Sequence, residues 1–294
     1  MVQGGRKIPM SKPILEIVQE KYAAAATSKL SNTNDAVREV AAAFGYTEAD
    51  LASIPAEANL GLSCGNPTAL AELKPGEVVV DLGSGGGLDV FLAAQRVGPQ
   101  GKAIGIDMTA EMIDRARTGA EKLGYTNVEF YQATIDQIPL PLASVDCVIS
   151  NCVINLAPDK AAVFREIFRV LKPGGRVAIS DIALRRDLPP VLAQSVAAYV
   201  GCIAGALPME EYTRLLREAG FVDIQLTDMH HDLNAYSKIE GQAGCCSPNM
   251  GTSCCGPETE VEAVHLGLSR IVQEFDINEF AASVSITARK PGGR

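Results

Sequence analysis

The chain has 294 residues, 47% of them hydrophobic, and a formal net charge of −9. That is one large domain, or one domain with appendages, with enough apolar residues to bury a sizeable core. The acidic balance and scattered Lys and Arg argue against the basic patch a nucleic-acid partner requires.

No window approaches the length of a membrane-spanning helix, and MVQGGRKIPMSKP at the start lacks an apolar signal-peptide core. A cytoplasmic protein with no nucleic-acid or membrane partner is expected. Eight cysteines in a reducing compartment are then expected as thiols, available for metal, metalloid or redox chemistry.

Residues 13 to about 60 read as helical: PILEIVQEKYAAAATSKL carries apolar residues at helical spacing, and TNDAVREVAAAFGY has a Thr/Asn/Asp start and a Gly stop. From about residue 60 strands and helices alternate. GEVVVDLG, GKAIGID, NVEFYQAT, VDCVISN and RVAISDIAL read as strands, separated by LDVFLAAQRVG, TAEMIDRARTGAEKLGY and DKAAVFREIFRVLKPGG as helices. Continuous Val/Ile runs separated by helices predict a mostly parallel sheet covered on both faces. A further helix, PMEEYTRLLREAGF, precedes VDIQLTDM, and AASVSITARKP is the expected last strand. The predicted division is a helical arm over 1–60, an α/β core over 61–229, and a Cys-rich insertion with the last strand over 230–294.

DLGSGGGLDV places Asp81, Gly83, Ser84, Gly85 and Gly87 where the first strand enters a helix. Glycine permits a tight turn and close approach of backbone to a ligand, and the helix N-terminus offers free N–H donors. Asp107 ends the second strand, where an acid can accept hydrogen bonds from both ribose hydroxyls of an adenosine. The nicotinamide pattern G-x-G-x-x-G fails, because counting from Gly83 its last position is Leu88.

With RVLKPGG after the fourth strand's helix, this arrangement resembles the class I S-adenosylmethionine-dependent methyltransferases, from about residue 75 to 229. The resemblance implies a Rossmann-like, mostly parallel seven-stranded sheet. It also implies that Gly83, Ser84 and Gly85 approach the methionine part of the cofactor and Asp81 holds its amino group. Asp107 would bind the ribose, Met108 and Ile135 would pack on the adenine, and Asp136 would face the adenine amino group. In such a fold the methyl donor lies above the carboxyl ends of the first and fourth strands. Cys152 directly follows the fourth strand, Cys64 lies in a loop ahead of the first, and Cys202 follows the fifth. Three thiols distant in sequence are thus expected to converge beside one methyl group.

Soft thiolates select soft or borderline centres. Trivalent arsenic takes three sulfur ligands and keeps a lone pair able to attack a methyl carbon; zinc, the competitor, prefers four ligands and offers no nucleophile of its own. GLSCGNP, DLGSGGG, GIDMTAEMIDRAR, SNCVINLAPDK, RVLKPGG and GCIAGAL, in this order, resemble the arsenite methyltransferases. That resemblance implies arsenic(III) bound by Cys64, Cys152 and Cys202, Asn151 helping to position the cofactor's methionine end, and an external thiol reductant, glutathione or thioredoxin. Many members carry a further N-terminal Cys, whereas here Cys64 is the first. Cys147, inside an apolar strand, reads as core. The vicinal pairs Cys245–Cys246 and Cys254–Cys255 read as arsenite-capturing thiols, zinc ligands or a solvated loop. A methyltransferase for a small organic molecule and a non-catalytic metalloid-binding protein are the competing functions.

Overall fold

The computed structural model describes residues 13–239 and 264–293. The N-terminal part is helical: α1 (Ile14–Thr27), α2 (Asp35–Ala43), α3 (Glu48–Ala52) and α4 (Pro67–Leu70). Thr47 and Asp50 close a reciprocal capping box on α3, each side chain accepting the other's backbone N–H. Beyond them the alternation begins: β1 (Val78–Leu82), α5 (Leu88–Val97), β2 (Lys102–Asp107), α6 (Ala110–Leu123), β3 (Val128–Gln132), β4 (Val145–Asn151), α7 (Lys160–Val170) and β5 (Leu171–Leu184). The short α8 (Pro190–Ala193), α9 (Val196–Val200) and β6 (Leu207–Pro208) lead to α10 (Met209–Glu218) and β7 (Val222–Asp228). The chain is described again from α11 (Val264–Glu274) and ends on β8 (Ala281–Arg289).

The strands form one sheet in the order β3-β2-β1-β4-β5-β8-β7, with two-residue β6 alongside β5. β1 to β5 run parallel, and β8 is antiparallel to both its neighbours. The expected seven-stranded, mostly parallel sheet is therefore present. Its strand order reverses between β1 and β4, so a crevice opens above their carboxyl ends, the switch point where open α/β sheets bind ligands. The β1 run of Val78, Val79 and Val80 is covered on both faces, by α5 on one side and by α7 and α10 on the other.

One boundary departs from the sequence reading. DKAAVFREIFRVLKPGG is read from sequence as a helix preceding the strand RVAISDIAL, but α7 ends at Val170 and β5 begins at Leu171, which pairs with Val145. Residues 172–175 then form an irregularity, with Gly174 at φ 82°, before Arg176 pairs with Cys147. Pairing on both sides of the turn keeps it inside the strand.

The N-terminal helices pack onto the core at the crevice end. Val18, Val40 and Phe44 share an apolar cluster with Cys64, Cys152, Cys202, Tyr236 and Val264. Arg115 of α6 holds this arm, donating to the carbonyls of Glu57 (2.6 Å), Ala26 (2.6 Å), Ser28 (3.2 Å) and Leu30. Among the described residues no helix is long and apolar enough to cross a membrane.

Candidate active site

The crevice holds a cavity of about 310 Å³, within the range of small-molecule sites. Its floor is the glycine loop. Gly83, Gly85 and Gly87 all have positive φ (70°, 51° and 93°). A Cβ on Gly83 would stand 2.5 Å from Val153, so this approach of the β1 and β4 loops needs a bare backbone. Gly87 is the left-handed cap that opens α5.

Two polar groups on the cavity wall lack protein partners: Asp81 Oδ1 and Ser84 Oγ, both buried. Burial pushes the Asp81 carboxyl well above its ordinary range, and the neighbouring charges of Asp89 and Asp107 push the same way. A buried, partnerless carboxyl beside a glycine loop suits a cationic ligand group such as the amino group of S-adenosylmethionine. Asp107 accepts backbone N–H bonds from Gly85 (2.9 Å) and Thr109 (2.8 Å), which fix the carboxylate on the wall with acceptor capacity to spare. Met108, Ile135 and Asp136 line the cavity farther along, at the expected adenine end. Leu15, Val18 and Tyr22 of α1 roof it, with the Tyr22 hydroxyl donating to the Val200 carbonyl (3.2 Å) and Gln19 to the Met108 carbonyl (3.2 Å).

Cys152 is on the wall, Cys64 and Cys202 lie behind it, and all three are buried in one apolar cluster. Cys64 and Cys152 stand sulfur to sulfur with Cα atoms 6.0 Å apart, inside the span that allows a disulfide. The bend after β4 places Cys152 at a buried gap, and the loop that Asn151 holds brings Cys64 to the same gap, where adjacent sulfurs can join. As thiols, these two and the Asp181 carboxylate make a group of three donors within 4.8 Å of one another. Cys202 Sγ stands outside that group, donating to the Cys152 carbonyl (2.6 Å). The three cysteines thus come together as a pair and a near neighbour.

Cys152 and Cys202 both have left-handed backbones, φ 56° and 63°. Such strain persists where the surroundings over-determine it, and it clusters at functional sites. Burial holds the Cys202 thiol well above its ordinary value, and the Asp181 charge adds to this; Tyr22 and Lys160 act in the opposite direction. Cys147 is buried within β4, its thiol pushed up to about 12 mainly by desolvation.

Asn151 lines the cavity, but its amide is engaged within the protein. Oδ1 accepts from the Cys64 N–H (3.0 Å), while Nδ2 donates to the Gly65 carbonyl (2.8 Å), the Tyr46 hydroxyl (2.9 Å) and Asp89 (3.2 Å). Its visible work is to pin the Cys64 loop to the end of β4, a role the sequence reading did not assign. Asp89 was missed outright: it is buried, accepts from Tyr46 (2.8 Å) and Thr68 (2.6 Å), and ties α5 to the same loop. Cys245, Cys246, Cys254 and Cys255 lie outside the described residues.

The family described as "Methyltransferase domain" matches residues 73–220. An arsenite methyltransferase of Halobacterium salinarum is 44% identical over 226 residues, which are 72% of this chain and 58% of that protein. Another, from Aquipseudomonas alcaligenes, is 43% identical over 163 residues, 53% of this chain and 47% of that protein. The chain thus spans about half the length of these curated relatives. An X-ray structure of an arsenic (III) S-adenosylmethionine methyltransferase from Chlamydomonas reinhardtii superposes with a TM-score of 0.54 at 31% identity, covering 87% of this chain and 73% of that one. A family match over half the chain and a solved relative of that coverage carry the conclusion that this chain belongs to the methyltransferase-domain family, on its arsenite methyltransferase branch.

Proposed function

We propose that the protein transfers methyl groups from S-adenosylmethionine to thiol-bound trivalent arsenic. The observation that carries this reading is the Cys64–Cys152 pair at the end of β4, with Cys152 on the wall of the cavity that also holds the partnerless Asp81. The names of the relatives point the same way.

S-adenosylmethionine supplies an electrophilic methyl group on a sulfonium. In this reading Asp81 takes the cofactor's amino group, the N–H groups of the glycine loop face its carboxylate, and Asp107 accepts from the ribose hydroxyls. Met108, Ile135 and Asp136 hold the adenine. The α1 roof excludes water, which strengthens every charge interaction beneath it. When Cys64 and Cys152 have joined as a disulfide, an external dithiol or glutathione reduces the pair first, its own sulfurs becoming the disulfide. Arsenite then exchanges its oxygen or thiol ligands for Cys64, Cys152 and Cys202, each protein thiol proton leaving with the displaced ligand. The arsenic lone pair forms the new carbon–arsenic bond as the carbon–sulfur bond breaks, its electrons staying on sulfur. Arsenic is oxidised in that step, and the thiol reductant returns two electrons to restore the trivalent state. Orientation is the protein's main contribution.

Cys152→Ser tests the reading by speciation of arsenic after incubation with arsenite, S-adenosylmethionine and glutathione. Methylated arsenic is expected from the wild type and none from the variant, whose cofactor affinity stays within about threefold because the Cys lies outside the donor's own contacts. Full activity in the variant overturns the assignment.

A further inference from the structure

Asp89 is buried in the first turn of α5 and shares the cavity wall with Asp81. Neutral donors from three other segments meet its carboxylate. Oδ1 accepts from the Thr68 hydroxyl of α4 (2.6 Å), and Oδ2 accepts from Asn151 Nδ2 at the end of β4 (3.2 Å). The Tyr46 hydroxyl, from the loop after α2, lies 3.0 Å from one oxygen and 2.8 Å from the other. The donors are themselves held. Asn66 Nδ2 donates to the Gly45 carbonyl (3.1 Å) just before Tyr46, and Arg96, farther along α5, donates to the Thr68 carbonyl.

Asp81 has unlike surroundings in the same crevice, because no donor meets its Oδ1 atom. Burial raises the Asp89 titration, but the hydrogen bonds from Thr68, Tyr46 and Asn151 and the Arg96 charge pull it back. For Asp81, burial and the charges of Asp89 and of Asp107 on β2 all push upward. Neighbouring acids whose environments diverge in this way take different roles. Without a ligand the proton resides on Asp81 and the negative charge on Asp89. Among the described residues lining the cavity none is Lys, Arg or His, so that charge is left for a ligand to answer.

We propose that Asp89 is a positioning residue for the cofactor's ammonium group, a fixed anion beside Asp81 that Tyr46 and Thr68 hold in place. The ammonium group pairs with Asp81, whose proton leaves to solvent, and the Asp89 charge draws it there by acting through space and through Asp81. This rests on the S-adenosylmethionine reading of the crevice. It adds to that reading the residue that favours a nucleoside carrying an amino-acid end over one without it. It also makes the N-terminal arm part of the cofactor site through Tyr46, apart from the helix that roofs the cavity.

The test is calorimetric titration of the wild type and Asp89→Asn with two ligands, from about pH 6 to about pH 8, where the ligand's amino group stays protonated. S-adenosylhomocysteine carries the amino-acid end; 5′-methylthioadenosine has the nucleoside and thioether without it. Asp89→Asn is expected to weaken S-adenosylhomocysteine binding by about tenfold at the upper pH and by less than about threefold at the lower. The two curves converge because Asp81 ionises at lower pH once the Asp89 charge is gone, so the variant's affinity falls less toward acid. Binding of 5′-methylthioadenosine stays within about twofold of the wild type throughout. Tyr46→Phe keeps the ring and the Asp89 carboxyl and removes one donor, so the same convergence is expected at about threefold. It decides by the same criteria if Asp89→Asn does not fold. A ratio of affinities that stays constant with pH overturns the proposal, as does an unchanged affinity for S-adenosylhomocysteine. Equal losses on both ligands indicate general loosening of the crevice and overturn it too. Should the wild type bind no S-adenosylhomocysteine, the cofactor reading itself falls and takes the proposal with it, whereas binding with parallel curves removes the proposal alone.

Discussion

The two sides of the crevice are built on opposite principles. On the β1–β2 side, polar groups face the cavity with unspent hydrogen-bonding capacity: Asp81 Oδ1 and Ser84 Oγ have no partner, and Asp107 is fixed by backbone N–H groups at its rear. On the β4–β5 side, the cysteines sit in an apolar cluster, and the polar groups beneath them satisfy one another through Asn155, Asp181 and Tyr212. The first side awaits a charged, hydrogen-bonding ligand and leaves the donors and acceptors for it. The second suits a soft centre whose bonds to sulfur need little help from surrounding polarity. In the proposed reaction, a methyl donor and a thiophilic acceptor meeting between them each find the environment their chemistry calls for.

The sharpest way to break this contrast is to remove the unspent charge. Asp81→Asn is expected to weaken S-adenosylmethionine binding by roughly a hundredfold or more, the effect of leaving a buried cation without its partner. The pH dependence gives a second readout. The raised Asp81 titration means that a cationic ligand displaces a proton, so wild-type affinity rises as pH climbs through that titration. It falls again above about pH 8, where the ligand's own amino group deprotonates. In Asp81→Asn the rising limb disappears. Calorimetric titration in buffers of different ionisation enthalpy measures the released proton, and a rising limb retained in the variant would place the charge elsewhere.

On the opposite side, Asp181 is fully buried and desolvation lifts its titration to about 6, against the hydrogen bonds and the Lys160 charge that lower it. A carboxyl whose folded value lies above its unfolded value binds more protons when folded, so its contribution to stability is complete below about pH 4 and is lost as pH rises through 6. A shift of roughly two units corresponds to about 3 kcal/mol. Asp181→Asn removes this penalty. The stability of the variant relative to the wild type is therefore expected to improve by up to that amount between pH 4 and pH 7.5, measured by urea unfolding at each pH. A difference that stays constant across the range would mean that Asp181 is not a buried titrating acid.

Much of this contrast was legible in the chain. The Val runs gave the strands, the DLGSGGG spacing gave the loop, and a Cys directly after a strand gave its position on the crevice wall. These signals are local: each needs only a few adjacent residues and the period of one element. The hub of the thiol side was hidden, because Asn155, Asp181 and Tyr212 are joined across 26, 31 and 57 residues of sequence. A signal for it did exist. Asp181 is the one charge in the strand run AISDIAL, and Asp89 falls at the apolar start of a helix in GGLDVF. A charge at a core position implies a partner, though not which one. The pairing of Cys64 with Cys152 required the loop's path, which Asn151 sets from 87 residues away.

The smallest expected effect concerns the roof. Helix α1 has no basic residue in its last turn, so its terminal carbonyls lack a cation of their own. Arg115 supplies one from α6, gripping Ala26 at that end and Ser28, Leu30 and Glu57 beyond it. Because Leu15, Val18 and Tyr22 of α1 line the cavity, loosening this grip reaches the cofactor side. Arg115→Ala is expected to cost about 1–2 kcal/mol of stability, since several partly exposed hydrogen bonds are exchanged for water. It should also raise the KM for S-adenosylmethionine by about threefold to tenfold, each tenfold step being about 1.4 kcal/mol. The KM for arsenite should stay near the wild-type value, because the sulfurs are fixed from β4, β5 and the Asn155 hub rather than from α6. If Arg115→Ala raised both constants together, the arm would serve both sides of the crevice, and the separation drawn between them would not extend to the helix that covers them.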